Sequence, residues 1–314
     1  MITILIGLLI IAVGSFGQSS SYVPINKVKG WSWESFWLVQ GLFAWLIFPY
    51  LGALLAVPEG SSLMALWQTP GSWGAVIYGI LWGIGGLTFG LSMRYLGVAL
   101  GQSIALGTCS GFGTLIPALL AGTDLFAGEG LVLLIGVCIT LAGIAVIGYA
   151  GSLRAKNMSE EEKRAAVKDF ALTKGLAVAL LAGVMSACFN LGLESGQAIV
   201  EKVKAEGANE LFATNPVILL VTIGGFCTNA LYCIYQNIKN KTGKDYLAVS
   251  GSTLTNNVLF CALAGLLWYS QFFGLGMGKS FLADAPVMLA FSWSILMSLN
   301  ILFSNFWGIV LKEW

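Results

Sequence analysis

A small set of side chains in this sequence combines chemistry with an unusual setting. Gln18, Gln102, Asn190, Trp268, Tyr269 and Gln271 are amides and large rings embedded in apolar runs. Amides donate and accept hydrogen bonds, as hydroxyl groups do. Aromatic rings cover the C–H faces of a sugar ring. Together they suit an uncharged, polyhydroxylated ligand, although interhelical hydrogen bonding is the plainer use of a buried amide. Asn229, Asn256, Asn257, Trp293, Asn300 and Asn305 add polar groups at similar depth. Glu194 follows Asn190 by one helical turn, so the two share a face. A carboxylate partly removed from water takes up a proton more readily, which makes Glu194 the candidate proton-coupling acid. Glu34 lies in "WSWE" among Trp31, Trp33 and Trp37, and Arg94 is the only charged residue in 60–123. Both are expected on the same membrane face, where they form a candidate gate.

Several chemistries are excluded at once. The chain has no histidine, so a Ser-His-Asp triad, a histidine metal site and a histidine proton relay are absent. The six cysteines fall inside apolar runs at spacings that match no zinc or disulfide framework. No residue is assigned to catalysis or to a metal, and no cofactor is expected beyond a coupling ion. The acids favour H+, and a Na+ site built from hydroxyls, amides and carbonyls is the alternative. With net charge +1 there is no basic patch for nucleic acid.

The elements that position these residues follow from composition. The chain is 57% hydrophobic and 10% charged, against about 25% charged in soluble domains. Lipid cannot hydrogen-bond a bare backbone, so the recurring continuous apolar runs must be transmembrane helices. Nine spans are expected, over 2–22, 35–57, 73–92, 96–121, 130–150, 175–198, 213–238, 249–273 and 286–310. The first apolar run has no positive residue before it, so it reads as a helix rather than a cleaved leader. Arg94 marks the tight turn between the third and fourth spans. Of the 16 Lys and Arg, only Lys202, Lys204 and Lys279 fall in the even-numbered connections. The odd-numbered connections and the C-terminal end therefore face the cytoplasm, with the N-terminus outside. In the long fifth connection, Ser159 and Glu162 have capping-box spacing and predict a short helix.

That connection divides five spans from four. A five-helix repeat is inverted in the membrane because five is odd. "GGLTFGLSMRYLG" (85–97) lies on "AGLLWYSQFFGLG" (264–276), matching Gly86, Leu87, Leu96 and Gly97 to Gly265, Leu266, Leu275 and Gly276. This makes the third and eighth spans repeat counterparts and predicts a tenth span after Trp314. The halves are expected at 1–150 and 175–314, joined by 151–174. The chain also has 40 glycines, and the spacing of Gly79, Gly83, Gly86 and Gly90 suits close helix packing.

The strings "KVKGWSWESFW" (27–37), "LWGIGGLTFGLSMRYLGVALG" (81–101), "GLLWYSQFF" (265–273) and "GIVLKEW" (308–314) closely resemble the L-rhamnose–proton symporter family of the drug/metabolite transporter superfamily. The resemblance implies an all-α polytopic membrane protein with ten helices in two inverted halves. It also implies proton-driven uptake of L-rhamnose or a related 6-deoxyhexose across a bacterial inner membrane. The sugar and the bilayer are then the partners, with no enzymatic step. Two other readings remain open from the residues alone. One is a transporter or exporter of another small metabolite or amino acid; the other is a membrane sugar sensor that does not transport.

Overall fold

The computed structural model describes residues 2–57, 62–96, 98–157 and 171–310. Among these there are no strands, and nine helices are long and apolar enough to cross a membrane. They are α1 (Ile2–Ile25, broken at Ser21), α2 (Trp33–Leu54), α3 (Ser72–Leu96), α4 (Val98–Leu120), α5 (Gly128–Asn157), α6 (Leu172–Ser195), α7 (Asn215–Asn240), α8 (Gly251–Phe281) and α9 (Pro286–Val310). A short helix, Gln197–Ala205, follows α6. Arg94 falls in the last turn of α3 and not in the connection after it, because α3 continues to Leu96. The predicted helix at Ser159 and Glu162 lies outside the described residues.

Two prolines shape the helices where the site forms. A proline lacks an N–H and its ring clashes with the carbonyl four residues earlier. Pro49 would meet the carbonyl of Trp45, and α2 accommodates it with a π-helical turn over Phe43–Ile47. Such turns re-aim side chains locally. Pro117 stands inside α4 and leaves the Gly113 carbonyl without a helical donor.

Packing follows a regular plan. The closest pairings join α3 with α6 and α1 with α8; α4 with α6, α3 with α7, α2 with α7, α2 with α8, α4 with α5, α1 with α9 and α4 with α9 follow. Exchanging each helix n with n + 5 carries α3–α6 onto α8–α1, α4–α6 onto α9–α1, and α3–α7 onto α8–α2. The α2–α7 and α4–α9 pairs map onto themselves. Small residues permit these approaches, since van der Waals contact replaces the hydrophobic effect between helices in lipid. A Cβ on Gly14 would stand 2.6 Å from the Ser270 carbonyl of α8, and one on Gly85 would stand 2.6 Å from the Ser186 N–H of α6. A Cβ on Gly79 would overlap the Val221 carbonyl of α7. Gly86 and Gly90 face open space, so the glycine spacing on α3 marks an interface only over Gly79 and Gly83.

Candidate substrate site and its closures

Near the middle of the bundle six rings meet. They are Trp45 of α2, Trp82 of α3, Phe189 of α6, Trp268 and Phe272 of α8, and Trp293 of α9. Trp45 stands edge-on to Trp82 and Trp268, with centroids at 5.9 and 5.8 Å. Trp82 meets Phe189 at 5.1 Å, and Phe189 stacks on Phe272 at 3.7 Å with 12° between the planes. Trp293 lies nearly parallel to both phenylalanines. All but Trp268 are buried.

Amides border these rings. Asn190 donates from Nδ2 to the Gly113 carbonyl at 2.7 Å, the acceptor that Pro117 leaves free. Trp293 donates to the Cys109 carbonyl at 3.3 Å, one turn earlier on α4. Asn300, two turns along α9 from Trp293, donates to Gln271 Oε1 at 2.9 Å. Some of these groups are left unmet. Among the described residues Trp45 Nε1, Asn190 Oδ1 and Asn300 Oδ1, in or beside the cluster, are buried with no hydrogen-bond partner, as are Gln40 Oε1 farther along α2 and Trp31 Nε1 near Tyr246. Each such atom costs about 1–3 kcal/mol. Unmet donors and acceptors beside aromatic rings are what a hydroxylated ring with apolar C–H faces would complete.

The bundle is tied at both ends. At one end, Glu34 begins α2 and is buried. Its carboxylate accepts from Asn240 Nδ2 at 2.9 Å and Thr242 Oγ1 at 2.7 Å, at the end of α7 and just beyond. Asp245 accepts from the Ser32 N–H at 2.8 Å and the Ser35 hydroxyl at 3.0 Å. Asn257 of α8 exchanges two bonds with the Lys29 backbone, at 3.0 and 2.8 Å. Burial raises the Asp245 carboxyl, but the Ser32 and Ser35 donors and the Lys244 charge outweigh it and hold Asp245 below its usual range. At the other end, Glu194 in the last turn of α6 pairs with Lys279 of α8 at 3.4 Å. Lys202 reaches Thr69 Oγ1 at 3.4 Å on the same side.

With this geometry in hand, a family model described as L-rhamnose-proton symport protein (RhaT) matches residues 1–314. The chain belongs to this family. Curated relatives named L-rhamnose-proton symporter, from Yersinia pestis (strain Pestoides F) and Yersinia pseudotuberculosis (serotype O:1b, strain IP 31758), are each 34% identical to it over 323 residues. Those matches cover 99% of this chain and 90% of each relative. No solved structure matches.

The structure of this family member sorts the side chains singled out in its sequence. Trp268 lies in the ring cluster, and Asn190 and Gln271 border it through Gly113 and Asn300. Tyr269 does not: adjacent helical residues point about 100° apart, and its hydroxyl donates to Asn215 Oδ1 at 2.8 Å near the start of α7. Gln18 is half-buried and accepts from Ser19 at 3.3 Å, beside the Ser19 bond to the Asn300 carbonyl. Gln102 and Arg94 lie on described helices, but their side chains are outside the described residues. Glu194 is 46% exposed in its ion pair, so it lacks the desolvated setting expected of it. Glu34 finds its partners on α7 and the segment after it. Trp45, Trp82, Phe189 and Phe272 were not legible as site residues, except that Pro49 signals a distorted turn next to Trp45.

Proposed function

We propose that this chain is a transporter and not an enzyme, importing L-rhamnose or a related 6-deoxyhexose with protons by alternating access. Family membership over the whole chain supports the substrate and the ion. The unmet Trp45, Asn190 and Asn300 atoms in and beside the ring cluster support placing the sugar there. Trp268, Asn190 and Gln271 border it, with Gln18 and Gln102 on its α1 and α4 sides and Tyr269 bracing α8 against α7. The pairing plan supports two inverted halves, 1–150 and 175–314, joined by 151–174. The chain would lie in a bacterial inner membrane with its N-terminus outside, and it would need no cofactor besides the coupling ion. Glu194 with Lys279 closes the outer side, and Glu34 closes the inner side with Arg94 on the same face.

The test is counterflow of radiolabelled L-rhamnose in proteoliposomes of the purified chain. Saturable exchange is expected, together with accumulation under an inside-alkaline pH gradient. A sodium gradient in its place separates the two coupling ions. Binding without exchange would replace the transporter with a sensor.

A further inference from the structure

Proton symport needs a group that takes the proton on one side and gives it up on the other. Histidine is absent from the chain. Among the described carboxylates, Glu34 is the one that is buried, at 6% exposure, whereas Glu194 is 46% exposed and paired with a lysine. Resting on the symport reading, we propose that Glu34 is the proton-coupling acid, and that its charge state sets whether α7 stays latched to α2 at the inner end.

The geometry supplies each part of this. Two neutral donors on or next to α7, Asn240 and Thr242, bond the carboxylate, beside the Ser32 hydroxyl and the Glu34 N–H at the start of α2 itself. A charged acceptor makes such bonds about twice as strong as a neutral one does. Protonation removes that charge, weakens both bonds and frees the end of α7. The titratable group that faces the acid from α7 is the Cys233 thiol, while Asp245 and Tyr246 beyond α7 meet the neighbouring Ser35, and Lys241 and Lys244 lie on the same segment. Among the described residues no cation sits within 4.0 Å of Glu34, so no fixed partner holds it charged when the latch opens. An inner cleft of about 430 Å³, lined by Leu38, Asn237, Lys241, Lys244 and Tyr246, lies beside the latch and gives the proton a way out. Toward the ring cluster, Trp37 shares the face of α2 with Glu34 and Trp45, touches Trp45 at 5.7 Å and donates to Asn229 of α7 at 3.1 Å. This seam joins the acid to the sugar site. The proton balance is simple: the carboxylate gains one proton from the outer side, and the neutral acid returns it to the cytoplasm. Loss of the proton re-forms the latch and resets the carrier outward.

Glu34→Gln, a permanent mimic of the neutral acid, tests this in two ways. Under an inside-alkaline gradient of one pH unit, a one-to-one symporter accumulates sugar about tenfold, since one unit is worth 1.36 kcal/mol. Glu34→Gln should keep counterflow yet accumulate only to equality. Accumulation equal to wild type overturns the proposal. The second readout needs no sugar, so it separates failure of this inference from failure of the substrate reading. Cys233 is buried behind the latch, and its alkylation from the inner side in a Cys138→Ser/Cys227→Ser background reports opening. At pH 8, Glu34→Gln should raise the rate by about tenfold, from the loss of charge-assisted bonds; an unchanged rate overturns the proposal. If Glu34→Gln does not insert, Asn240→Ala/Thr242→Val keeps the acid and removes its donors. The alkaline limb of the transport pH profile should then move upward, and an unmoved limb is a refutation.

Discussion

Trp45→Phe is the sharpest probe of the ring cluster. It keeps an aromatic ring between Trp82 and Trp268 and deletes only the indole N–H and part of the ring. That N–H belongs to a residue only 3% exposed and has no acceptor. In the sugar-free protein, the buried unmet donor costs about 1–3 kcal/mol. Phenylalanine relieves that cost, partly offset by the void left by the smaller ring. In the sugar-bound protein, on the proposed placement, the same change would remove a hydrogen bond to a hydroxyl. Both effects weaken binding. L-Rhamnose affinity should therefore fall by about 5- to 150-fold, at 1.4 kcal/mol per tenfold. Calorimetric titration of the purified protein in lipid nanodiscs measures it, with the counterflow KM as a second readout. The thermal midpoint should stay close to wild type, because relief of the donor and the small void oppose each other. An affinity within twofold of wild type together with a lowered midpoint would show that Trp45 is only a packing ring, and the sugar would have to be placed elsewhere.

Three further outcomes follow from the geometry. Glu194→Gln should leave gradient-driven accumulation intact, because exposed ion pairs contribute only about 0–1 kcal/mol; exchange without accumulation in this variant would make Glu194 the coupling acid instead of Glu34. Gly79→Ala places a methyl against the Val221 carbonyl at the α3–α7 crossing; it should destabilise by about 1–3 kcal/mol, read as a lower thermal midpoint, while Gly86→Ala at open space should be neutral. Asp245 is held below its usual range, so its bonds to Ser32 and Ser35 stabilise the fold above that range and are lost as pH falls through the lower folded-state value. The midpoint difference between wild type and Asp245→Asn should thus stay constant from pH 8 to 5 and close only in acid below about 3.8; a difference that closes near neutrality contradicts the assignment.

The nine spans were legible because a bilayer leaves so few options: continuous apolar runs must be helices, and polar breaks must be their ends. The ring cluster was much less so. Phe189 and Phe272 sit in the same kind of apolar run as the lipid-facing Phe306, and only helix rotation separates them. Lipid is as apolar as the protein interior, so no periodicity records that rotation. Tyr269 shows a constraint that was available in the sequence: as the neighbour of Trp268 it cannot share its face. Glu194 turned on a boundary. A span running to 198 buries it by almost a turn, whereas α6 ends at Ser195 and leaves it at the rim. Asn190 and Pro117 illustrate the remaining gap. The proline announces a free carbonyl at Gly113, but nothing in the sequence names the donor on another helix that meets it.

The two closures differ in kind, and the difference bears on direction. On the proposed orientation, the outer one rests on Glu194 and Lys279, side chains 46% and 22% exposed, whose attraction is screened by water and salt. The inner one rests on a buried carboxylate with two short bonds, backed by Asp245 and by the Asn257 pairing to Lys29. The inner side is therefore the harder to open while Glu34 is charged, and the empty carrier should rest with its inner side shut and its outer side free to open. An importer needs that resting preference, since sugar and proton must be met from outside first. With Glu34 as the proposed coupling acid, the same asymmetry would make cytoplasmic opening depend on pH and outer opening depend on ionic strength. Accessibility of a cysteine placed at Thr69 and of the native Cys233 would read the two dependences separately. If high salt loosened the inner side as much as the outer, charge screening rather than protonation would govern both.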